Sequence, residues 1–428
     1  MNDNQKNPDH LDHAQNRSNQ ISLAKDGLPD WAQRPLVRQI FDGARALGGE
    51  ARIVGGAVRD WLAGYPVGDI DMAINLPIET VASHMRAHQM RVVETGLKHG
   101  TITLFDGDDQ IELTQTRVDL ETDGRHAIVA HDRDWTRDAA RRDFTINAIY
   151  LDADGAIFDP LGGQADLQAG RLRFAGDAGQ RVQEDALRMM RYCRFLPRFG
   201  IAGIDPDARD ALRQNAHLCA ALSGERVGHE LRRILCGNSF ALGIAMMNDT
   251  AIDQAALGVP LDAAGLAFDA AAEVAIAELD RAVGHGWLGG LAAVMPAGSA
   301  AALSDRLRLS RAETRWLARL DQGLDDENMT MLAGARWRQA AYYLGDMAAM
   351  LYAVQSWRNK TPVSGARLAE IGRWQAPENP LCGADLLSHG VDNGPGLGQM
   401  LRTRKRGGSD QISRLRNRHY WNGYLEIR

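Results

Sequence analysis

Two patterns of hydrophobic and polar positions divide this chain. From about residue 52 to residue 174, short β-rich runs alternate with helical segments and with Gly/Asp turns, which predicts an α/β or α+β unit. A helix with apolar residues at helical spacing is predicted just before them, at residues 28–47. The β-rich runs are residues 52–54, 70–74, 101–105, 110–113 and 146–151.

After Gly179 the strand pattern almost vanishes, and the sequence predicts a series of amphipathic or Ala-rich helices. Examples are residues 184–195, 224–235, 267–283 and 311–320. Ser310 and Glu313 form a capping box at the start of the last of these helices. The helical part breaks near residues 323–328 and again near residues 375–380.

The length and composition indicate a globular protein of several units. A chain of 428 residues predicts about two to four packed units, and 45% hydrophobic with 24% charged residues excludes a disordered or fibrous chain. The net charge of −6 does not indicate a nucleic-acid binder, but such binding depends on where the basic residues lie rather than on their sum. Residues 1–25 are polar and are predicted to be a disordered lead-in.

The cysteines and the apolar runs indicate in which cellular compartment the protein is expected. The four cysteines form no CxxC pair and no zinc-ligand spacing, and a disulfide framework is not expected in so long a chain. No apolar run reaches the roughly 18–20 residues that cross a bilayer. We therefore expect a cytoplasmic protein that has no membrane partner and no stable protein partner.

The first candidate site is a glycine turn, Gly55-Gly56, which follows an apolar run and opens a predicted helix. Glycines let a backbone approach a phosphate closely, and the start of a helix presents unpaired N–H groups. Arg59 adds a fixed cation. The alternative is an ordinary turn between a strand and a helix.

The second candidate is a pair of acids, Asp69 and Asp71. Residues i and i+2 of a strand point to the same side, so both carboxylates are expected to project together while Ile70 faces the core. Such a pair repels unless a cation lies between the two groups, and Mg²⁺ binds one or two carboxylates together with phosphate oxygens. Glu112 is the candidate third carboxylate of a two-metal site, and an outward-facing glutamate on an edge strand is the alternative.

The third candidate is the double arginine Arg141-Arg142. It could clamp a triphosphate, or it could be a solvated chain end with Asp143 as a cap. The nearby residues 159–163 and Asp166 are interpreted as a structural turn without a chemical role.

The fourth candidate is a stripe of polar residues on one predicted helix. Asp185, Arg188, Arg191 and Arg194 recur every three residues. Ion pairs along a solvated helix face would explain such spacing. Three arginines without interleaved lysine or glutamate instead favour bidentate contacts with phosphates or bases.

Together, the four clusters resemble the class II tRNA nucleotidyltransferase and bacterial poly(A) polymerase family. The matching motifs are GGAVRD at 55–60, DID at 69–71, RRDFTINA at 141–148 and EDALRMMRYCRF at 184–195. The resemblance implies an α+β fold class, in which a polymerase-β-like nucleotidyltransferase head is followed by all-α neck, body and tail domains. The implied boundaries are 26–175 for the head, 176–236 for the neck, 237–325 for the body and 326–428 for a tRNA-binding tail.

The same resemblance implies an activity and its residues. The activity is template-independent addition of CCA to the 3′ end of tRNA, with CTP and ATP as substrates and two Mg²⁺ ions as cofactors. The implied metal ligands are Asp69 and Asp71, with Glu112 as the candidate third catalytic carboxylate. The implied nucleotide-binding residues are Gly55, Gly56, Arg59, Arg142, Asp185, Arg188, Arg191 and Arg194.

The chemistry of the bases suggests how one acid and one arginine could select the nucleotide. Cytosine and adenine both present an amino donor beside an acceptor nitrogen, which Asp185 and Arg188 would complement, whereas guanine and uracil have the opposite polarity. Residues 123–140, polar and charged, are predicted to be a mobile loop. The family uses a loop in this region when it switches from C to A addition, which favours a full CCA-adding enzyme over one that adds only CC.

Two other functions stay open from the sequence. A poly(A) polymerase with the same head typically carries a basic, Arg-rich strand between the DxD motif and the third carboxylate, and residues 92–100 are not basic. A non-catalytic RNA-binding protein on the same fold would not require both Asp69 and Asp71. The basic segment at residues 402–418 departs from the family, and a solvated tail, a grip on the tRNA backbone or a shifted reading frame would each explain it.

Overall fold

A computed structural model describes residues 20–22, 27–97, 100–122, 127–200, 202–237, 240–263 and 286–375. Within these ranges, no helix combines the length and the apolar character that crossing a membrane requires. The chain divides into two compact units, one made by residues 1–222 with 249–256 and the other by residues 223–248 with 257–428. The finer division into head, neck, body and tail stays a prediction.

The first unit is built on an eight-stranded sheet with the order β1-β10-β9-β2-β3-β6-β5-β4. The pairing of β3 with β6 is parallel, whereas the other pairs in this sheet are antiparallel. A separate antiparallel pair is formed by β7 and β8. The strands are β1 (Gln20–Ser22), β2 (Ala51–Val54), β3 (Asp71–Ile74), β4 (Arg91–Gly96), β5 (Thr101–Asp106), β6 (Asp109–Gln115), β7 (Arg117–Thr122), β8 (Ala127–His131), β9 (Tyr150–Leu151) and β10 (Ala156–Phe158).

Helices surround this sheet and continue the chain beyond it, which confirms the predicted α+β class. In the first unit they are α1 (Pro35–Ala46), α2 (Gly56–Leu62), α3 (Ile78–Ala87), α4 (Trp135–Ala140), α5 (Gly163–Gln168), α6 (Ala178–Glu184), α7 (Leu187–Phe199) and α8 (Pro206–Asn215). Both faces of the sheet are covered. Ile53 and Met72 join the core formed with α1 and α3, whereas Val54 and Ala73 join a smaller core around Trp135. Burial on both faces explains why residues 53–54 and 72–74 are apolar without alternation.

Several predicted elements begin or end elsewhere than expected. The helix predicted at residues 28–47 starts only at Pro35, because a residue before proline avoids the helical region and proline suits the first helical turn. The strand predicted at residues 146–151 is a 3₁₀ turn at Thr145–Asn147 followed by the short β9. Local N–H bonds from Asn147 to Phe144 and from Ala148 to Thr145 close that turn.

Two segments predicted to lack structure contain regular elements. The prediction of a mobile loop at residues 123–140 is wrong for the residues of β8 and α4. Strand β8 pairs with β7, and the Asp134 side chain caps α4 by accepting from the Thr136 N–H. Residues 123–126 lie outside the described residues. The prediction of a disordered N-terminal segment is wrong at residues 20–22, whose backbone pairs with β10 at the edge of the sheet. A polar segment can form this pairing because an edge strand bonds through its backbone groups.

The second unit is helical, as predicted. With the segment that joins the units, its helices are α9 (Gly224–Leu235), α10 (Phe240–Asp249), α11 (Ile252–Leu257), α12 (Gly286–Val294), α13 (Ala300–Arg306), α14 (Arg311–Gln322), α15 (Asp326–Ala333), α16 (Trp337–Leu344), α17 (Ala348–Arg358) and α18 (Gly365–Arg373). The helix at residues 224–235 and the capping box of Ser310 with Glu313 are both confirmed. The helix predicted at residues 267–283 lies outside the described residues. Arg358 of α17 and Asp321 of α14 form a largely buried ion pair, 3.1 Å long, within this unit.

Candidate functional site

The glycine turn lies where β2 ends and α2 begins. Gly55 has φ +79° and ψ −128°, a backbone conformation that residues other than glycine rarely adopt. Arg142 Nη1 and the carbonyl oxygen of Asn147 lie 3.9 and 4.0 Å from the position that a Cβ on Gly55 would occupy. The turn therefore brings backbone and a guanidinium group together, which suits a bound phosphate.

Arg59 is buried in α2 and holds the turn to its neighbours. Its Nη1 donates to Asn147 Oδ1 at 2.6 Å, and its Nε donates to Asp60 Oδ1 at 2.8 Å. Its guanidinium lies over the rings of Phe195 and Phe199, 5.0 and 4.6 Å from their centroids. Burial lowers the pKa of Arg59 from its ordinary value, partly offset by Asp60. The contacts tie α2 to α7, and a direct contact with a nucleotide stays a prediction.

Two of the candidate carboxylates, Asp71 and Glu112, lie on adjacent strands. Asp71 opens β3 and is paired in parallel register with Glu112 of β6; both are exposed, whereas Ile70 is buried as expected. Asp69 precedes β3, so the prediction of both aspartates within one strand is wrong at Asp69. The edge-strand alternative for Glu112 is also wrong, because β6 lies between β3 and β5.

The three acids interact electrostatically. Partial removal from water, followed by repulsion from Glu112 and more weakly from Asp69, raises the pKa of Asp71 to about 6, against the opposing effect of Arg142. A carboxyl group that resists ionisation in this way is stabilised as an anion by a nearby cation.

These residues fit a divalent cation. Among the described residues, no three carboxylate, imidazole or thiol side chains converge as a complete metal cage. Mg²⁺ does not need such a cage, because it keeps several waters and binds one or two carboxylates together with substrate phosphates. Asp69 and Asp71 could therefore hold Mg²⁺ beside Glu112.

Arg142 is fixed by an acid that the sequence reasoning missed. Asp138, fully buried in α4, binds Arg142 at 3.0 Å and Arg141 at 2.6 Å, and it accepts a 2.8 Å hydrogen bond from the Tyr150 hydroxyl. Tyr150 in turn accepts from Arg142 Nε at 3.0 Å. Tyr150 and Asp138 outweigh the effect of burial and raise the pKa of Arg142. The spacing of Asp138 three and four residues before the arginines was the signal in the sequence.

A second buried acid ties the double-arginine segment to α7. Asp143 accepts from Arg191 Nε at 2.8 Å and from Arg191 Nη2 at 2.5 Å. Its other carboxylate oxygen accepts from the Asn147 side chain at 2.9 Å. Asn147 also accepts a hydrogen bond from Arg59, so a continuous series of hydrogen bonds connects α2, which follows the glycine turn, to α7. Asp143 is thus an internal anchor, not the cap of a solvated end.

The stripe predicted on one helix is interrupted. Residues 184–195 form the end of α6 and most of α7, and Asp185 lies between these helices in an extended conformation. Its carboxylate accepts from the Leu187 N–H at 3.1 Å. An acid can satisfy the unpaired N–H groups that open a helix, which explains why α7 begins after Asp185. The prediction that Asp185 shares a helix with the three arginines is therefore wrong.

The three arginines lie on α7 as predicted. Arg188 binds Glu184 at 2.9 Å and donates to the carbonyl oxygens of Arg181 and Arg141 at 2.9 and 3.2 Å. Arg194 lies 4.5 Å from the centroid of the Phe195 ring. Arg181 and Glu184, which were not predicted as site residues, connect Arg188 to the double-arginine segment.

The head is similar to one known domain family. Residues 51–173 match the family described as the Poly A polymerase head domain. These matched residues contain the glycine turn, the three acids and Arg142. Residues 203–255 match a second family, described as a probable RNA- and SrmB-binding site of polymerase A.

Two similar proteins each match about half of the chain. The chain is 42% identical over 224 residues to the human CCA tRNA nucleotidyltransferase 1, mitochondrial, with 51% of each chain covered. It is 38% identical over 209 residues to the CCA-adding enzyme of Geobacillus stearothermophilus, with 48% of this chain and 50% of the relative covered. The chain thus spans about half the length of the curated relatives it matches.

Solved structures resemble more of the chain. The CCA-adding enzyme of Bacillus stearothermophilus in complex with CTP is 25% identical, with a TM-score of 0.66 over 89% of this chain and 93% of the other. The Thermotoga maritima CCA-adding enzyme complexed with tRNA has a TM-score of 0.63 at 18% identity and shows the fold alone. Together these similarities confirm the resemblance to the class II tRNA nucleotidyltransferase and bacterial poly(A) polymerase family.

Proposed function

We propose that this protein adds CCA to the 3′ end of tRNA from CTP and ATP, without a nucleic-acid template. The proteins named above as CCA-adding enzymes support the proposal, because two of them match about half of this chain in sequence and one solved structure matches 89% of it in fold. The observation that carries it is the pairing of Asp71 with Glu112 on adjacent strands, in electrostatic reach of Arg142. Acids and a fixed guanidinium at one place suit a triphosphate with its metal ions.

Two Mg²⁺ ions are part of the proposal, with Asp69 and Asp71 as their ligands and Glu112 as the third carboxylate. When bound, Mg²⁺ would neutralise the acids and polarise the reacting phosphate. Arg142 would bind the triphosphate, and its bonds to Asp138 and Tyr150 keep it in place before the substrate arrives. The oxygen of the RNA 3′-hydroxyl would then attack the α-phosphorus, with pyrophosphate as the leaving group.

Base selection is assigned to Asp185 and Arg188. Their positions at the start of α7 are fixed by the Leu187 N–H and by Glu184, so an acceptor and a donor are held in a constant relation. This arrangement would complement the pairing edges of cytosine and adenine. Exchanging the two residues, Asp185→Arg with Arg188→Asp, should admit GTP or UTP; unchanged nucleotide preference would contradict the assignment. Arg191 and Arg194 would extend the same contact surface along α7.

Poly(A) polymerase activity is the second candidate, because the matched family carries that description. The segment that is basic in those enzymes contains Glu94 here, paired with Arg86 at 2.6 Å, which favours CCA addition. A non-catalytic RNA-binding protein would not require the paired acids.

One incubation separates these functions. A tRNA transcript that ends at its discriminator base is mixed with the protein, Mg²⁺ and each nucleotide in turn, and products are resolved to single nucleotides. CCA addition predicts two additions with CTP alone and a third when ATP is present. Incorporation of ATP alone into a long tail would indicate a poly(A) polymerase. Absence of any product, with intact RNA binding, would indicate a binding protein.

A further inference from the structure

Tyr65 is an exposed aromatic residue in the segment between α2 and β3. In the part of the chain that the structure describes, the exposed large hydrophobic side chains are Tyr65, Ile204 and Leu242, of which only Tyr65 is aromatic. Its exposed fraction is 40%. A single exposed side chain is common in folded proteins, so the contacts of this ring decide its meaning.

Arg198, near the end of α7, stacks on the Tyr65 ring. The guanidinium carbon lies 3.9 Å from the ring centroid, within the range of a cation–π contact. Arg198 also pairs with Asp60 at 3.5 Å and lies 5.1 Å from the centroid of Phe199. Phe199 meets the Tyr65 ring edge-on at 6.1 Å. The ring and the guanidinium are therefore held as one stack that remains partly open to solvent.

Backbone hydrogen bonds hold the segment that carries Tyr65. The Tyr65 N–H donates to the carbonyl oxygen of Asp60 at 2.8 Å, and the Gly64 N–H donates to that of Trp61 at 3.0 Å. Gly64 has φ +74°, which a glycine adopts without strain. An ordered aromatic surface loses little conformational entropy when a partner stacks on it.

The stack lies close to the candidate site along the chain. Tyr65 precedes Asp69 by four residues, which span at most about 14 Å. Stacked nucleotides rise by about 3.4 Å each, so a few nucleotides of single-stranded RNA cover this distance. Phe199, which contacts the Tyr65 ring, also packs against Arg59 of α2, the helix that follows the glycine turn.

We propose that Tyr65 and Arg198 form a stacking platform for an unpaired base near the 3′ end of the RNA. The platform rests on the proposed function, because it assumes that the 3′ end enters at Asp69 and Asp71. A nucleobase can stack on an aromatic ring or on a guanidinium plane without sequence preference. The exposed side of Arg198 would also attract the phosphate that follows the base. Tyr65 and Arg198 act as positioning residues for the RNA and not in the reaction itself.

Three variants test the platform on the full chain. Tyr65→Ala removes the ring, Tyr65→Phe keeps it, and Ile204→Ala removes an equally exposed apolar side chain from the same unit. Each is measured for its affinity for a fluorescent tRNA lacking its CCA end, by anisotropy without nucleotide, and then for KM of tRNA and KM of CTP. Stacking of one base predicts that Tyr65→Ala weakens RNA binding and raises the KM of tRNA about tenfold. The KM of CTP and the Tm should stay unchanged, and Tyr65→Phe and Ile204→Ala should behave as the wild type.

A modified RNA identifies the base. An abasic nucleotide is placed at each of the last three positions of the tRNA in turn, and binding is compared between the wild type and Tyr65→Ala. At the position that the platform holds, the abasic RNA should bind the wild type about tenfold more weakly but should bind Tyr65→Ala no worse than intact RNA. Equal RNA affinity of Tyr65→Ala and Tyr65→Phe would overturn the platform, as would a parallel rise in the KM of CTP.

The same measurements distinguish an error in the proposed function from an error in the stacking platform. If the wild type adds no nucleotide to the tRNA, that function is excluded, and the anisotropy measurement still decides whether Tyr65 contacts RNA. If the wild type is active and Tyr65→Ala has normal RNA affinity, only the platform is excluded.

Discussion

Asp71 and Glu112 occupy directly paired positions on two neighbouring parallel strands. Side chains at paired positions of adjacent strands lie on the same face of the sheet, so residues far apart in sequence form one acidic cluster. Glu112 is the strongest charged contributor to the raised pKa of Asp71. A cation bound between the acids would offset their electrostatic repulsion.

The raised pKa predicts a pH-dependent stability of the metal-free protein. In the folded state Asp71 holds its proton up to about pH 6, whereas the ordinary value is 3.8. The folded state therefore binds more protons between these values, and stability falls as the pH rises from about 4 to 6. Asp71→Asn should raise the Tm by about 2–4 °C at pH 7.5 in EDTA, with little effect at pH 4.

Calorimetry at both pH values measures this difference. Asp42→Asn, an exposed acid on α1, serves as the control and should leave both Tm values unchanged. Mg²⁺ should stabilise the wild type more than Asp71→Asn at pH 7.5. An equal shift of the Tm of Asp71→Asn at pH 4 and pH 7.5 would show that Asp71 does not titrate in this range.

The acids should affect turnover more than nucleotide binding. Loss of several kcal/mol of transition-state stabilisation corresponds to roughly 100- to 1000-fold in kcat, and we expect this for Asp71→Asn. Glu112→Gln should lower kcat at least about tenfold. The Kd of CTP should change little, because Arg142 keeps its bonds to Asp138 and Tyr150. Single-turnover addition of CMP to tRNA measures the loss, and Glu79→Gln, exposed on α3, provides a charge-matched control with normal turnover. Wild-type kcat for Asp71→Asn would remove the acids from the reaction.

The sequence predicts those parts of the fold that local patterns determine. Periodicity and caps locate α9 and the start of α14, because a helix makes its hydrogen bonds within one segment. The glycine turn is equally local, since the positive φ of Gly55 is a property of one residue. Strand pairing depends instead on contacts between distant segments. The sequence could therefore suggest Glu112 as a partner of Asp71, but only the strand register places the two side by side.

The sequence misleads where one residue type serves two purposes. The three-residue spacing of Asp185 with Arg188 suggests a continuous helix, yet Asp185 is extended and its carboxylate accepts from the Leu187 N–H at the start of α7. Polar flanks likewise concealed β8, although its Ile128-Val129 pair favours a strand. In both segments the backbone hydrogen bonds, which the sequence does not display, decide the structure.

Asp138 is expected to be essential for stability. It is fully buried and compensates the charges of Arg141 and Arg142, so Asp138→Ala leaves two largely buried guanidinium groups without their anionic partner and should cost about 3 kcal/mol. Urea unfolding measures this loss. Asp132→Asn removes the charge that pairs with Arg137, whose side chain is mostly exposed, and should cost no more than about 1 kcal/mol. Equal losses in the two variants would contradict the role of Asp138.

The stability that Asp138 provides should also depend on pH. Although burial acts in the opposite direction, Arg142 and Arg141 hold the pKa of Asp138 below its ordinary value. A depressed carboxyl pKa stabilises the folded state above the unfolded pKa, and this contribution is lost as the pH falls through the folded value. The difference between the wild type and Asp138→Ala should therefore shrink in acid. A difference that is constant from about pH 7 to pH 3 would contradict this prediction.

Asp185 offers a test that separates its structural role from base selection. Asparagine can replace aspartate as an acceptor for the Leu187 N–H, so Asp185→Asn should keep the stability of the wild type, whereas Asp185→Ala should cost about 1 kcal/mol. Asparagine also carries donors that aspartate lacks, and these suit the carbonyl groups of guanine and uracil. Asp185→Asn should therefore lower the preference for CTP over UTP roughly tenfold while leaving the Tm unchanged. Competition between the two nucleotides on a tRNA lacking its CCA end measures this preference. If Asp185→Asn retains full selectivity and only Asp185→Ala alters the Tm, the carboxylate caps α7 and another group reads the base.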